Sequence, residues 1–222
     1  MIESLVYYAL ISLAGVSQLV SVLPILGFNV NITPAESVAI AVVFFAAIVV
    51  VNILGTKYGI RLMTGLTLFS ITSLVISLVI LFITPRSLII SRINQLLPSG
   101  FSYSDVASKY SGSFFSLGPT LMMLPFFAIF IYPWLNAGPA IASEVKGRNA
   151  LQWNLPISFI IALLLTTLSF TALYDALGFR FTMAALSNSQ LNSTINYWTV
   201  AMAASGNPII QWIIAIGSVT WY

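Results

Sequence analysis

The chain of 222 residues is 59% hydrophobic and only 6% charged, whereas a soluble domain carries about 25% charged residues. This composition excludes an ordinary soluble domain and predicts an integral protein of the cell membrane. The net charge of +3 comes from eight basic residues that form no cluster, which argues against nucleic acid as a partner. With no Cys and no His, thiol nucleophiles, His-ligated haem and ordinary zinc sites are excluded, and we expect neither a cofactor nor a metal.

Uncharged apolar stretches follow one another along the chain, and about 20 helical residues are enough to cross a bilayer. We therefore predict an all-α fold: a polytopic transmembrane helical bundle that forms a single domain over residues 1–222. The predicted apolar segments are residues 4–28, 35–54, 62–84, 114–143, 150–174 and 207–222. Segment 114–143 is interrupted. Segment 207–222 is incomplete, because at about 1.5 Å per residue it is too short to cross, and the chain is expected to end inside a helix.

The connections between these segments carry their own signals. Thr33, Pro34 and Glu36 are typical of a helix start, and Gly55–Arg61 is predicted to be a short basic turn. The longer polar connection 85–113 contains LIISRINQLL, whose apolar residues have helical spacing. This stretch is predicted to be either a helix in the membrane interface or a loop helix that caps the bundle, and we favour the second. Residues 178–205 are too polar to span.

The basic residues give a weak signal for orientation. If the first segment runs outward, they divide equally: Lys57, Arg61, Lys146 and Arg148 lie inside, and Arg86, Arg92, Lys109 and Arg180 lie outside. The inside residues belong to short turns, where the positive-inside rule is most reliable, so this orientation is predicted. The sequons that begin at Asn31 and Asn192 then both lie outside.

The fourth segment is interrupted at FIYPWLNAGPAIASEVKG, residues 130–147. Pro133 and Pro139 each remove a helical hydrogen bond at a cost of about 3 kcal/mol, and lipid offers no partner to the freed groups. The pattern is typical of a discontinuous transporter helix. Its first half would end near Tyr132 and present carbonyl oxygens to a cation, and Asn136 would cap a second half over residues 137–145. The alternative is a proline kink that only shapes packing.

Two stretches resemble a known family. PAIASEVKG at residues 139–147, followed by Arg148, Asn149 and Pro156, resembles the sixth helix and following loop of amino acid–polyamine–organocation (APC) permeases. VNILGTK at residues 51–57, with Arg61, resembles the junction of the fourth and fifth helices. The resemblance implies a leucine-transporter-type fold of two inverted five-helix repeats around a midplane site. On that register the chain is a fragment that runs from the third to the eighth helix and lacks the first two.

The same resemblance implies a substrate site at the interruption. Backbone carbonyls would hold the ammonium group, Tyr132 and Trp134 would stack or gate, and Asn136 would add polar recognition; the implied substrate-binding residues are Ile131, Tyr132, Trp134, Leu135 and Asn136. The chain departs from the family at Pro133 and Trp134, which replace glycines, and at Asn136, which replaces a frequent acid. The lysine that couples a proton in some members falls on Ser70 here, which is interpreted as a polar ligand for coupling or as a packing residue.

The expected function is secondary active transport of amino acids or related amines by alternating access, with a proton or sodium as the coupling ion. The family grips the substrate carboxylate with its first helix, so this chain is expected to need the missing helices or a partner subunit. The alternative is an accessory or structural subunit of a membrane complex with a degenerate permease-like fold. An enzyme is not expected, because Asp175 has no base, nucleophile or metal cluster beside it in the sequence.

Overall fold

The computed structural model of the chain describes residues 2–28, 32–130, 148–192 and 194–221, and this part of the chain is helical without any strand. The all-α prediction is confirmed for these residues, while the inverted-repeat arrangement stays a prediction. A short 3-10 turn, Pro24–Leu26, follows the first helix. The described helices are α1 (Ile2–Val22), α2 (Pro34–Ile53), α3 (Thr56–Ile83), α4 (Arg86–Leu96), α5 (Tyr103–Ser108), α6 (Leu117–Phe130), α7 (Arg148–Leu177), α8 (Phe179–Ser187), α9 (Tyr197–Ser205) and α10 (Pro208–Thr220).

Three of these helices are long and apolar enough to cross a membrane. Their apolar windows are Pro34–Val51, Lys57–Ile83 and Pro156–Leu177, which correspond to the predicted segments 35–54, 62–84 and 150–174. Two shorter apolar stretches, Ile11–Leu26 and Pro208–Thr220, fall below the length of a span. Helix α10 runs from Pro208 to Thr220, and Trp221 after it keeps right-handed helical backbone angles; the expectation that segment 207–222 is incomplete stays a prediction.

The chain divides into two compact units. Unit 1 consists of Met1–Tyr110 and Ala172–Tyr222, and unit 2 consists of Ser111–Thr171. Unit 1 therefore contains α1 to α5, the C-terminal end of α7 and α8 to α10, and unit 2 contains α6 and the rest of α7. The expected single transmembrane domain over residues 1–222 stays a prediction.

The first turns of α2 and α3 show where local sequence decides a helix start. At α2, the Glu36 carboxylate accepts from the Thr33 backbone amide at 2.7 Å, and the Thr33 hydroxyl accepts from the Glu36 amide at 3.3 Å. This reciprocal capping box confirms the predicted start. At α3 the predicted basic turn over residues 55–61 is wrong, because only Leu54 and Gly55, which has a φ of 120°, separate α2 from a helix that begins at Thr56. Lysine and arginine are good helix formers, so Lys57 and Arg61 extend the helix.

Unit 1 has its core around the C-terminal half of α3. Helix α10 packs along α3, while α9 packs on both of them and on α4. Seven consecutive residues of α9, Trp198–Ala204, are buried, which is the pattern of a helix covered on all sides. Within the polar connection 85–113, α4 buries Ile89 and Ile93 completely, as the capping interpretation of LIISRINQLL predicts.

The described part of unit 2 has two helical elements, α6 and the first four fifths of α7, residues 148–171. Its apolar side chains are largely exposed, including Leu121 and Met122 on α6 and Ile160 and Leu164 on α7. Pro156 lies inside α7, where it has no backbone amide to donate to the preceding turn. Exposed apolar side chains in such number suit contact with lipid or another apolar partner.

Candidate functional site

The predicted substrate site lies outside the described residues. Ile131, Tyr132, Trp134, Leu135 and Asn136, together with the second half-helix predicted over residues 137–145, belong to the range 131–147, which the structure does not describe. Helix α6 leads to Phe130, and α7 begins at Arg148. The role of these five residues in binding therefore stays a prediction.

Ser70, the candidate for ion coupling, lies in a polar stripe on α3 that we call the serine seam: Ser70, Ser73 and Ser77. Residues three and four apart share one face of a helix, and the three side chains are 2%, 0% and 0% exposed. Each hydroxyl meets a partner from α9 or α10. The Ser70 hydroxyl lies 2.8 Å from the Thr220 hydroxyl, the Ser73 hydroxyl donates to the Ile213 carbonyl at 3.1 Å, and the Ser77 hydroxyl lies 2.8 Å from the Tyr197 hydroxyl.

The serine seam brings α3 and α10 into close contact. A Cβ atom at Gly217 would overlap the side chain of Ser73, so glycine is required at this crossing. On the other side of α10, Gln18 of α1 donates to the Ser218 hydroxyl at 3.2 Å. Small residues and interhelical hydrogen bonds are the usual means of joining helices in membranes, where apolar burial offers little advantage over lipid.

Ser70 is thus engaged in the contact of two helices. Its hydroxyl is buried and paired with Thr220, which itself donates to the Gly217 carbonyl at 3.1 Å. This is the environment that the packing interpretation of Ser70 predicts. Among the described side chains, no buried nitrogen or oxygen lacks a hydrogen-bond partner. Ion coupling through Ser70 stays a prediction.

Helix α9 is fixed at its N-terminal end by Asn196. The Asn196 side chain accepts from the amides of Trp198 and Thr199 at 3.0 and 3.1 Å and donates to the Ser21 hydroxyl of α1 at 3.3 Å. These bonds satisfy amides that the first turn of any helix leaves unpaired. Since the next residue, Tyr197, contacts Ser77, the helix starts about two turns below the C-terminal end of α3.

At its C-terminal end, α9 meets the guanidinium group of Arg92. One nitrogen of Arg92 on α4 donates to the carbonyls of Ala203 at 3.2 Å and Ala204 at 2.5 Å. The side-chain amide of Gln211 donates to the Met202 carbonyl at 3.1 Å. The last carbonyls of a helix have no partner within it and carry partial negative charge, so a cation is favourable there.

A second arginine of α4 lies at the C-terminal end of α7. Arg86 donates to the Tyr103 hydroxyl at 3.2 Å, and this hydroxyl in turn donates to the Leu177 carbonyl. The ring of Tyr103 stacks on Phe181, with centroids 4.6 Å apart. The turn after α7 is made by Gly178, whose φ of 79° is left-handed and favours glycine.

A pocket in the described part of unit 1 lies between α5 and α8. It is open to solvent, has a volume of about 400 Å³, and is lined by Val106, Lys109, Tyr110, Ala184, Ser187, Asn188 and Ser189. The Lys109 ammonium lies 5.3 Å from the centroid of the Phe101 ring, within the range of a cation–π contact. No group of His, Cys, Asp or Glu side chains that could hold a metal is present among the described residues.

Comparison of the chain with known protein families, curated proteins and solved structures gives no match.

The sequence contains a local signal for the end of α9, at three residues that follow the stretch 178–205 predicted to be polar. Gly206, Asn207 and Pro208 form the succession expected where one helix stops and another begins. The structure places a left-handed Gly206 after α9 and an Asn207 cap before α10. Nothing local identifies Arg92 as the partner of this helix end, because its contacts with Ala203 and Ala204 join residues more than a hundred positions apart.

Proposed function

We propose that the chain is part of a multi-pass protein of the cell membrane that transports amino acids or related amines by alternating access. The observation that carries the proposal is the interruption of an apolar segment by Pro133, Asn136, Gly138 and Pro139, the last of which is the first residue of the motif PAIASEVKG. Backbone that leaves helical geometry at membrane depth must face protein, water or a ligand. The proposal is further supported by three helices of sufficient length and apolarity to cross.

In this proposal the two ends of the break have different roles. The carbonyls before it carry partial negative charge and bind the substrate ammonium, while the amides after it favour a negative group. Tyr132 and Trp134 cover the apolar part of the substrate, and Asn136 supplies both a donor and an acceptor. The carboxylate is held by helices outside this chain, which the missing helices or a partner subunit provide. A proton or sodium supplies the coupling.

The test measures uptake of labelled amino acids and amines by proteoliposomes that contain this chain assembled with its remaining helices or partner. Asn136→Ala is expected to raise KM about tenfold, which corresponds to about 1.4 kcal/mol, with unchanged expression. Gln190→Ala serves as the control, since it removes an amide from an exposed turn. Unchanged kinetics of the Asn136 variant would leave the packing kink as the explanation. Absence of uptake by the assembled protein would favour the accessory-subunit hypothesis.

A further inference from the structure

The two arginines of α4 occupy equivalent positions at two different helix ends. Five glycines in the described part of the chain have a positive φ: Gly27, Gly55, Gly100, Gly178 and Gly206. At the first three, a Cβ atom would meet nothing within 4 Å. At Gly178 and Gly206 it would run into a guanidinium group, which belongs to Arg86 in one case and to Arg92 in the other.

At the end of α9, Gly206 provides both the backbone conformation of the turn and the space that Arg92 occupies. Its φ of 57° is left-handed, and a Cβ atom there would lie 2.6 Å from both Cζ and Nη2 of Arg92. The guanidinium group therefore lies flat against bare backbone while it donates to the two preceding carbonyls. A side chain at position 206 would push Arg92 away from these carbonyls.

At the end of α7, Gly178 has the same relation to Arg86. A Cβ atom there would overlap the guanidinium group and would also lie 3.4 Å from the Tyr103 hydroxyl. Here the arginine acts through Tyr103, whose hydroxyl reaches the Leu177 carbonyl. Both helix ends thus combine a left-handed glycine, a terminal carbonyl and a cation from α4.

The helix that carries the two arginines is itself well anchored. Ile89 and Ile93 are fully buried, and α4 packs against both α9 and α5. A single helix of this length is a stiff rod, and Arg86 and Arg92 are separated by about 9 Å along its axis at 1.5 Å per residue. Through such a rod, a displacement at one helix end would reach the other.

We propose that α4 couples the positions of the C-terminal ends of α7 and α9, with Arg86 and Arg92 as positioning residues. The coupled elements, residues 172–177 and α9, both belong to unit 1. The proposal does not depend on transport or on the identity of a substrate. Loss of the hydrogen bonds of either arginine increases the local opening of both helix ends.

The chain contains no cysteine, so single cysteines report local opening without background. Ala201 on α9 and Ala176 on α7 are both buried and are replaced singly by cysteine in the full chain. Arg92→Gln is expected to increase the rate of maleimide labelling about tenfold at position 201 and about threefold at position 176, because labelling of buried groups follows local opening. Arg86→Gln is expected to give the reverse order. Arg180→Gln, at an exposed position on α8, leaves both rates unchanged.

A merely local cap would behave differently. It would raise labelling only at the reporter next to the removed arginine, and this result, or unchanged rates at both reporters, would overturn the proposal. A third reporter, Val16→Cys at a fully buried position on α1, monitors the fold and is expected to stay protected. If position 16 becomes exposed in the glutamine variants, labelling at positions 201 and 176 is compared in two other variants. Arg92→Lys keeps the charge. Arg92→Ala is measured with added methylguanidinium, which is expected to restore protection at positions 201 and 176.

Discussion

Helices α2 and α9 are both apolar, yet their surroundings are opposite. Only 6% of the window Pro34–Val51 in α2 is buried, and Val43 on this helix is 68% exposed. In α9, by contrast, Trp198–Ala204 are buried without interruption. Helix α2 has 20 residues and can cross a bilayer, whereas α9 has nine and cannot. Apolar surface on the long helix is available to lipid, while apolar surface on the short one is covered by protein.

The ends of the two helices differ for the same reason. In a bilayer, the ends of a helix as long as α2 would reach water or lipid headgroups, and the capping box at Thr33 and Glu36 would then be sufficient at its start. Both ends of α9 lie against other helices and are satisfied by side chains, with Asn196 at one end and Arg92 at the other. A short helix among others is thus specified by polar contacts at its ends as much as by its apolar faces.

The largest expected effect comes from placing a charge on each helix. Val200→Asp puts a carboxylate at a fully buried position of α9 and is expected to destabilise the protein in detergent by about 3–5 kcal/mol, because an unpaired charge is buried. Val43→Asp on α2 is expected to change stability in detergent by no more than about 0.5 kcal/mol. In a bilayer the same change should cost about 2.5–3.5 kcal/mol in insertion.

Thermal unfolding in detergent and an insertion assay in membranes measure the two quantities. Equal destabilisation of the two variants in detergent would contradict the contrast between the helices. If Val43→Asp leaves the insertion free energy of α2 unchanged, this helix does not face lipid.

An intermediate effect is expected where α10 crosses α3. Gly217→Val forces atoms into the space of Ser73 and should destabilise unit 1 by about 1–3 kcal/mol through overpacking. Gly65→Val on α3 is the matched control, because a Cβ atom there meets nothing within 4 Å. Denaturation of both variants in the same detergent compares them, and equal stability would argue against close contact of α3 and α10.

The smallest effect tests the serine seam. The hydrogen bond between Ser70 and Thr220 should give a coupling energy of about 0.6 kcal/mol in a double-mutant cycle with Ser70→Ala and Thr220→Ala, the average for such bonds in a membrane protein. The cycle of Thr72→Ala with Thr220→Ala should give none, since Thr72 bonds to Leu68 of its own helix. Zero coupling between Ser70 and Thr220 would remove the seam as a source of stability.

Much of the helix pattern was predictable because it depends on local sequence. The spans of α2, α3 and α7 follow from uninterrupted apolar runs, and the start of α2 follows from Thr33 and Glu36. The sequence predicts the start of α3 too late, because Lys57 and Arg61 indicate a turn by their charge although both residues are good helix formers.

The contacts of α9 were not predictable in the same way. Its composition differs little from that of a surface helix of a membrane protein, and its burial depends on α3, α4 and α10. The role of Arg92 depends on a helix end far away in sequence. Only the two ends of α9 have local signals, which are the Asn196 cap and the Gly206–Asn207–Pro208 stop. The interruption at residues 131–147 remains predicted from sequence alone.

The most direct test of the proposed function is a cysteine scan through residues 121–145 of the assembled protein in membranes, with a water-soluble thiol reagent. The proposed broken helix predicts reactivity from position 132 to position 138, protection of positions 132–136 by an amino acid or amine substrate, and no reaction on the apolar turns before Pro125. Uniform lack of reaction across the whole range would contradict the account, because the prolines would then lie in a continuous helix against lipid.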